Sequence, residues 1–107
     1  MSFELPKCRV TVLKRAAFAD LAAEYLDDEV ELSQCTQFED GQEFIIEHPF
    51  AMPENFCAWA WADIRKDILA VASGSDLPWL KRRGVMLSGC TDWFRPVIFK
   101  IERMEGD

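Results

Sequence analysis

The chain has 107 residues, 50% of them hydrophobic, and a formal net charge of −7. That length suits one domain spanning 1–107, and the apolar content can build a core without disulfide staples. The charge argues against a nucleic-acid partner, because phosphate backbones are gripped by clustered Lys and Arg, and the longest basic run, Lys81-Arg82-Arg83, reads as a solvated turn.

Residues 7–15, KCRVTVLKR, alternate: Cys8, Val10 and Val12 share one face, and the β-branched content predicts a strand. Over 17–26 the period changes. Phe18, Leu21, Ala22, Tyr25 and Leu26 recur at helical spacing, and the acidic DDEVE that follows is a poor match to the negative end of a helix dipole. Residues 34–48 hold two short apolar pieces around Asp40-Gly41, a strong hairpin signal. A tight turn there predicts two strands, with Cys35 returning opposite the end of the second, near Ile46. HPFAMPEN is a loop. From Phe56 the pattern is helical, with Cys57, Ala60, Trp61, Ile64, Ile68 and Val71 on one stripe and Gly74 as a stop. Residues 73–84 form a long loop. Residues 85–90 and 95–104 then read as two strands of an antiparallel hairpin, with Val97, Phe99 and Ile101 facing the core. The order is β-α-β-β-α-β-β, an α+β domain: a mainly antiparallel sheet of four to five strands with two helices packed on one face.

No apolar run approaches the ~20 residues that span a bilayer, and MSFELPKCRV lacks the layout of a signal peptide. A cytoplasmic protein is expected, with no membrane partner. Cys8, Cys35, Cys57 and Cys90 form no C-x-x-C pair. A reducing cytosol would keep them as thiols, so any cluster must be assembled by the fold.

CTQFEDGQEF, PENFCAWAWADI, GSDLPW and GCTDWFRPVIFKIER follow one another in that order. With them the chain, from Val10 to Arg103, resembles a numbered family of short, uncharacterised, cysteine-containing prokaryotic proteins. The resemblance implies a stand-alone cytoplasmic protein with cysteines at the positions of Cys35, Cys57 and Cys90, and it brings no known reaction. Cys8 lies outside the pattern. Two positions depart from it: Asn55 stands where a glycine is usual, and Ser75 where the loop usually reads Gly-Gly-Asp. Asn is the most tolerant non-glycine residue for left-handed φ, so position 55 is expected to have an unusual backbone.

The candidate catalytic residues are therefore Cys57, Cys35 and Cys90. If the second helix begins at Asn55 or Phe56, the Cys57 sulfur lies in its first turn, where the dipole favours a thiolate. Otherwise Cys57 is a small hydrophobe of the buried stripe. Cys35 and Cys90 lie near strand ends beside polar residues. The same three thiols with His48 would make a tetrahedral Cys3His zinc set, a weaker reading given their long separations; the competing reading of His48 is an exposed loop residue. Trp61 reads as core. Trp59, Trp79 and Trp93 either act as lids or protomer contacts, or line a ligand pocket. The preferred reading is one redox-active or metal-binding thiol site. The alternatives are a non-catalytic binding or homo-oligomer-forming module, and a thiolate enzyme with Asp63 or Asp92 nearby. The small-molecule ligand is not specified by the sequence.

Overall fold

The computed structural model describes residues 4–104. Six elements follow in order: β1 (Cys8–Arg15), α1 (Ala19–Tyr25), β2 (Glu43–Ile46), α2 (Ala58–Ala72), β3 (Val85–Gly89) and β4 (Val97–Arg103). The strands make one antiparallel sheet in the order β2-β1-β4-β3, so the fold is α+β.

Alternation decides which face of the sheet is core. Cys8, Val10 and Val12 of β1, Phe44 and Ile46 of β2, and Val97, Phe99 and Ile101 of β4 are all buried. The other face carries Arg9, Lys100 and Glu102, with Arg9 and Lys100 both paired to Glu102 at 3.8 and 3.2 Å. An antiparallel sheet tolerates one polar face of this kind. α2 seals the apolar face through Ala60, Ile64, Ile68 and Val71, spaced at helical intervals and each no more than 1% exposed. Full burial of one such aliphatic side chain contributes about 1.5–3 kcal/mol. The helix ends at Ser73, where Gly74 (φ 104°) takes the left-handed conformation that lets the chain leave.

Two features differ from the sequence expectation. First, the sheet face is covered by one helix. α2 lies over β3, β4 and β1, while among the described residues α1 packs on no other helix or strand and buries no residue. The remaining part of the face, over β2, is filled by aromatic side chains delivered from loops. Phe38 meets Phe44, Phe56 and Phe99 edge to face, at centroid distances of 5.9, 5.1 and 5.2 Å. That cluster occupies the volume a second helix would need. Trp61, expected in the core, is half-buried at the edge of this cluster, 6.0 Å from Phe56.

Second, residues 34–38 are not a strand, so the sheet has four strands, the smaller of the four to five expected. The Asp40-Gly41 turn forms, with Gly41 at φ 83°, but β2 pairs with β1, and Ile46 lies opposite Cys8 rather than Cys35. The carbonyls of the 34–38 segment find a different partner. Arg15 Nη1 donates to Cys35 O at 2.9 Å and to Phe38 O at 3.1 Å, while its Nε binds Asp40 Oδ1 at 3.0 Å. A guanidinium with several donors in a fixed fork takes the place of a ladder.

Candidate functional site

Three segments meet at the N-terminal end of α2: residues 35–38, residues 57–60, and the β3–β4 connection at 90–97. Between them lies a cavity of about 470 Å³, open to solvent. Its wall contains Cys35, Cys57 and Cys90, so the fold brings the three sequence-predicted thiols to one cavity. All four cysteines are free thiols.

Each of the three is positioned differently. Cys35 sits on the loop clamped by Arg15, whose own carbonyl accepts a hydrogen bond from Gln34 Nε2 at 2.9 Å. Cys57 is the N-cap of α2, with extended backbone (φ −72°, ψ 125°). The helix thus begins after the cysteine, two residues later than the latest start expected. The Cys57 side chain makes no capping hydrogen bond. Asn55, at φ 64°, is the one non-glycine residue with positive φ among those described. It turns the chain so that Phe56 enters the core and Cys57 reaches the cavity. Cys90 follows β3 directly. Its N–H donates to Val97 O at 3.1 Å, and the Val97 N–H donates back to Cys90 Sγ at 3.3 Å. Its sulfur is therefore held by the backbone of the facing strand.

Cys8 is the contrast. It is 1% exposed, its Sγ faces Ile68 O at 4.0 Å, and burial pushes its thiol up from 9.0 to about 11, with the Arg103 charge opposing weakly.

The rest of the wall is mainly aromatic: Phe38, Trp59, Trp93 and Phe94. Trp59 and Trp93 are 64% and 67% exposed, which places both indoles at the open side. The Trp59 ring is tied in place. Its Nε1 donates to Thr91 Oγ1 at 3.1 Å, and Thr91 donates from Oγ1 and from its backbone N to Asp63 Oδ2, at 3.0 and 2.7 Å. The charged lining residues, Asp92 and Arg95, pair at 3.2 Å, and Asp92 also accepts the Phe94 and Arg95 N–H groups. The cavity thus offers thiols and flat apolar surface, with its opposite charges matched to each other.

Trp59, Thr91 and Asp63 were not legible as a unit. Asp63 and Trp59 lie off the buried stripe of α2, where exposed residues are the ordinary occupants, and Thr91 is far away in sequence. GCTDWF carried the available signal: a cysteine, a hydroxyl and a tryptophan in one short connection.

His48 does not line the cavity. It lies in the loop after β2, where Nδ1 accepts the Phe50 N–H at 3.2 Å and the ring stacks at a tilt on Phe50. Among the described residues no three His, Cys, Asp or Glu side chains form a group that could hold a metal ion. Trp79 is 76% exposed and also lies outside the cavity.

No family model matches the chain, and no curated protein or solved structure does.

Proposed function

We propose that this is a small thiol-based domain in which Cys35, Cys57 and Cys90 serve one pocket for a small molecule. One observation carries this reading: three of the four cysteines, far apart in sequence, line a single cavity, while the fourth is sealed in the core. Cysteine is by default a buried small hydrophobe, and Cys8 behaves as one. The other three sit half-exposed around apolar aromatic surface, and the volume falls in the usual range for small-molecule sites. The thiol form of the reading is preferred to the zinc form because the described residues contain no metal-ligand group and His48 lies elsewhere. Four unpaired thiols suit a reducing cytosol, where we place the protein. No helix among the described residues is long and apolar enough to cross a membrane, and the net charge of −7 disfavours nucleic acid.

The test is alkylation of the native protein with iodoacetamide, followed by peptide mapping. Cys35, Cys57 and Cys90 should be labelled, and Cys8 only after denaturation. A native protein in which none of the three reacts would overturn the proposal.

A second reading, a homo-oligomer-forming module, is favoured by α1. Leu21 and Tyr25 of its apolar face are exposed, and among the described residues the helix packs on no other helix or strand. Sedimentation equilibrium checks it. A mass above that of one chain, returned to one chain by Leu21→Glu, supports this reading, and a monomer at all concentrations refutes it.

A further inference from the structure

We infer that the pocket takes a flat, uncharged ring compound carrying an unsaturated carbonyl, of the quinone type, and that Cys90 is the thiol that bonds to it. The inference rests on the reading of the cavity as a thiol site and adds the ligand class and the bonding residue.

The ligand class follows from what lines the wall. Trp59 and Trp93 stand at the open side with most of their surface in water. Two large indoles kept exposed at a cavity gain most from a ligand with a flat face of its own, since ring–ring contact adds to plain burial. The Trp59 ring is oriented before any ligand arrives, through Thr91 and Asp63. A pre-set wall saves the ordering cost on binding. Charge points the same way. Asp92 and Arg95 neutralise each other at 3.2 Å, so the lining has no unmatched charge for a phosphate, a carboxylate or an ammonium group. A charged peptide disulfide would have to shed its hydration with no partner in return.

The bonding residue follows from position. Cys90 lies beside Thr91, the anchor of the Trp59 wall, and three residues before Trp93. Its sulfur is held by the Val97 N–H at 3.3 Å. Cys57 makes no capping hydrogen bond, and among the described residues no hydrogen bond to the Cys35 sulfur accompanies the clamp on its carbonyl. Cys90 is thus the thiol with a fixed sulfur next to the aromatic wall, the arrangement that favours a near-attack geometry.

The step balances without another reactant. Cys90 Sγ forms a bond to the ring carbon β to a carbonyl, and the displaced π pair moves to the carbonyl oxygen, which takes the thiol proton. The hydrogen on the attacked carbon leaves as a proton and is regained by the second ring oxygen. The addition is redox-neutral overall: sulfur stays at the thiol level as a thioether, while the ring carbon that exchanges its C–H for a C–S bond is oxidised and the two carbonyl carbons are reduced, leaving a sulfur-substituted hydroquinone.

Menadione, a naphthoquinone, is the probe, and naphthol is its flat, non-electrophilic counterpart. Intact mass and peptide mapping should show menadione on Cys90 of the native protein. Addition should be at least about tenfold faster than to the urea-denatured chain at the same pH. Naphthol should slow it. Trp59→Ala and Trp93→Ala should each slow it by roughly three- to tenfold, the worth of one aromatic contact, with iodoacetamide labelling of Cys90 unchanged. Cys35→Ser and Cys57→Ser should keep the adduct. The inference is overturned if native and denatured chains react alike, if Cys35 or Cys57 is modified first, or if naphthol and both tryptophan variants have no effect. Faster modification of Cys90 by oxidised glutathione overturns it too. In each of those cases iodoacetamide labelling of the three pocket thiols leaves the thiol-site reading standing; that reading fails separately, when iodoacetamide reaches none of them.

Discussion

Cys90 and Val97 exchange two hydrogen bonds across the mouth of the last hairpin: Cys90 N–H to Val97 O at 3.1 Å, and Val97 N–H to the Cys90 sulfur at 3.3 Å. A side-chain sulfur thus stands where a ladder would place a carbonyl. The strands separate there into the seven-residue connection that walls the cavity, and Cys90 is both the last rung of the sheet and the first residue of the site.

Gly89 makes that close approach feasible. A Cβ at this position would lie 2.8 Å from Val97 O, a backbone atom that cannot swing aside. Gly89→Ala should therefore force β3 and β4 apart at Cys90, destabilising the domain by about 1–3 kcal/mol, the usual cost of overpacking. Hydrogen exchange of the Val97 amide should speed up, because its acceptor is the displaced sulfur. Unchanged exchange at Val97 would show that the hairpin absorbs the methyl elsewhere.

The parts of the fold that rest on strict periodicity were legible in the sequence. β4 alternates without a break at the residues that are buried, β1 carries Cys8, Val10 and Val12 to the core although Thr11 is buried as well, and the α2 stripe of Ala60, Ile64, Ile68 and Val71 is the helix face that packs. What periodicity cannot show is which of two apolar segments wins one sheet face. Phe18, Leu21 and Tyr25 have helical spacing, yet Phe38 and Phe56, isolated phenylalanines in loops, took the space over β2. Nor does a strand-like pattern at 34–38 reveal that Arg15 will supply its hydrogen bonds from another strand. Convergence of Cys35, Cys57 and Cys90 is one of three readings their motifs allow, and the motifs do not decide it; the Trp59–Thr91–Asp63 chain that fixes the wall joins residues too far apart in sequence to be read as a unit.

The exchange of core roles between Phe38 and Trp61 can be weighed directly. Phe38 is 2% exposed and touches three other rings. Phe38→Ala should cost about 3–5 kcal/mol, the range for emptying a large aromatic site. Trp61 is only half-buried, so Trp61→Ala should cost clearly less, about 1–3 kcal/mol, because much of its surface already meets water. Urea denaturation of both variants checks the order, and a larger loss for Trp61→Ala would contradict it.

Arg15 binds the loop that carries Cys35. Arg15→Gln removes the fork that holds Cys35 O, Phe38 O and Asp40. The expected loss is about 1–2 kcal/mol, less than a fully buried charged hydrogen bond commands, since the Arg15 side chain is 21% exposed. Iodoacetamide labelling of Cys35 should accelerate while Cys90 labelling holds steady. Equal acceleration at both would mean the variant loosens the whole domain rather than one loop.

Cys8 gives the domain a pH dependence whose sign is fixed by its burial. Its thiol rises from 9.0 to about 11 because burial disfavours the thiolate, against a weaker pull from Arg103. A raised pKa in the folded state means that folding favours the protonated thiol. The stabilisation is complete below about pH 9, where folded and unfolded chains both keep the proton. It is lost as pH rises from 9.0 toward about 11, where only the unfolded chain has released it. Across that window the loss is roughly 2–3 kcal/mol, at about 1.4 kcal/mol for each pH unit separating the two values. The measurement is a comparison between the parent and a variant without the thiol. Cys8→Ala should be less stable than the parent at neutral pH, because it leaves a small cavity at a site 1% exposed. Its stability should then fall less steeply above about pH 9, and the two curves should draw together toward pH 11. Parallel curves across the window would show that the Cys8 thiolate is accommodated in the folded core.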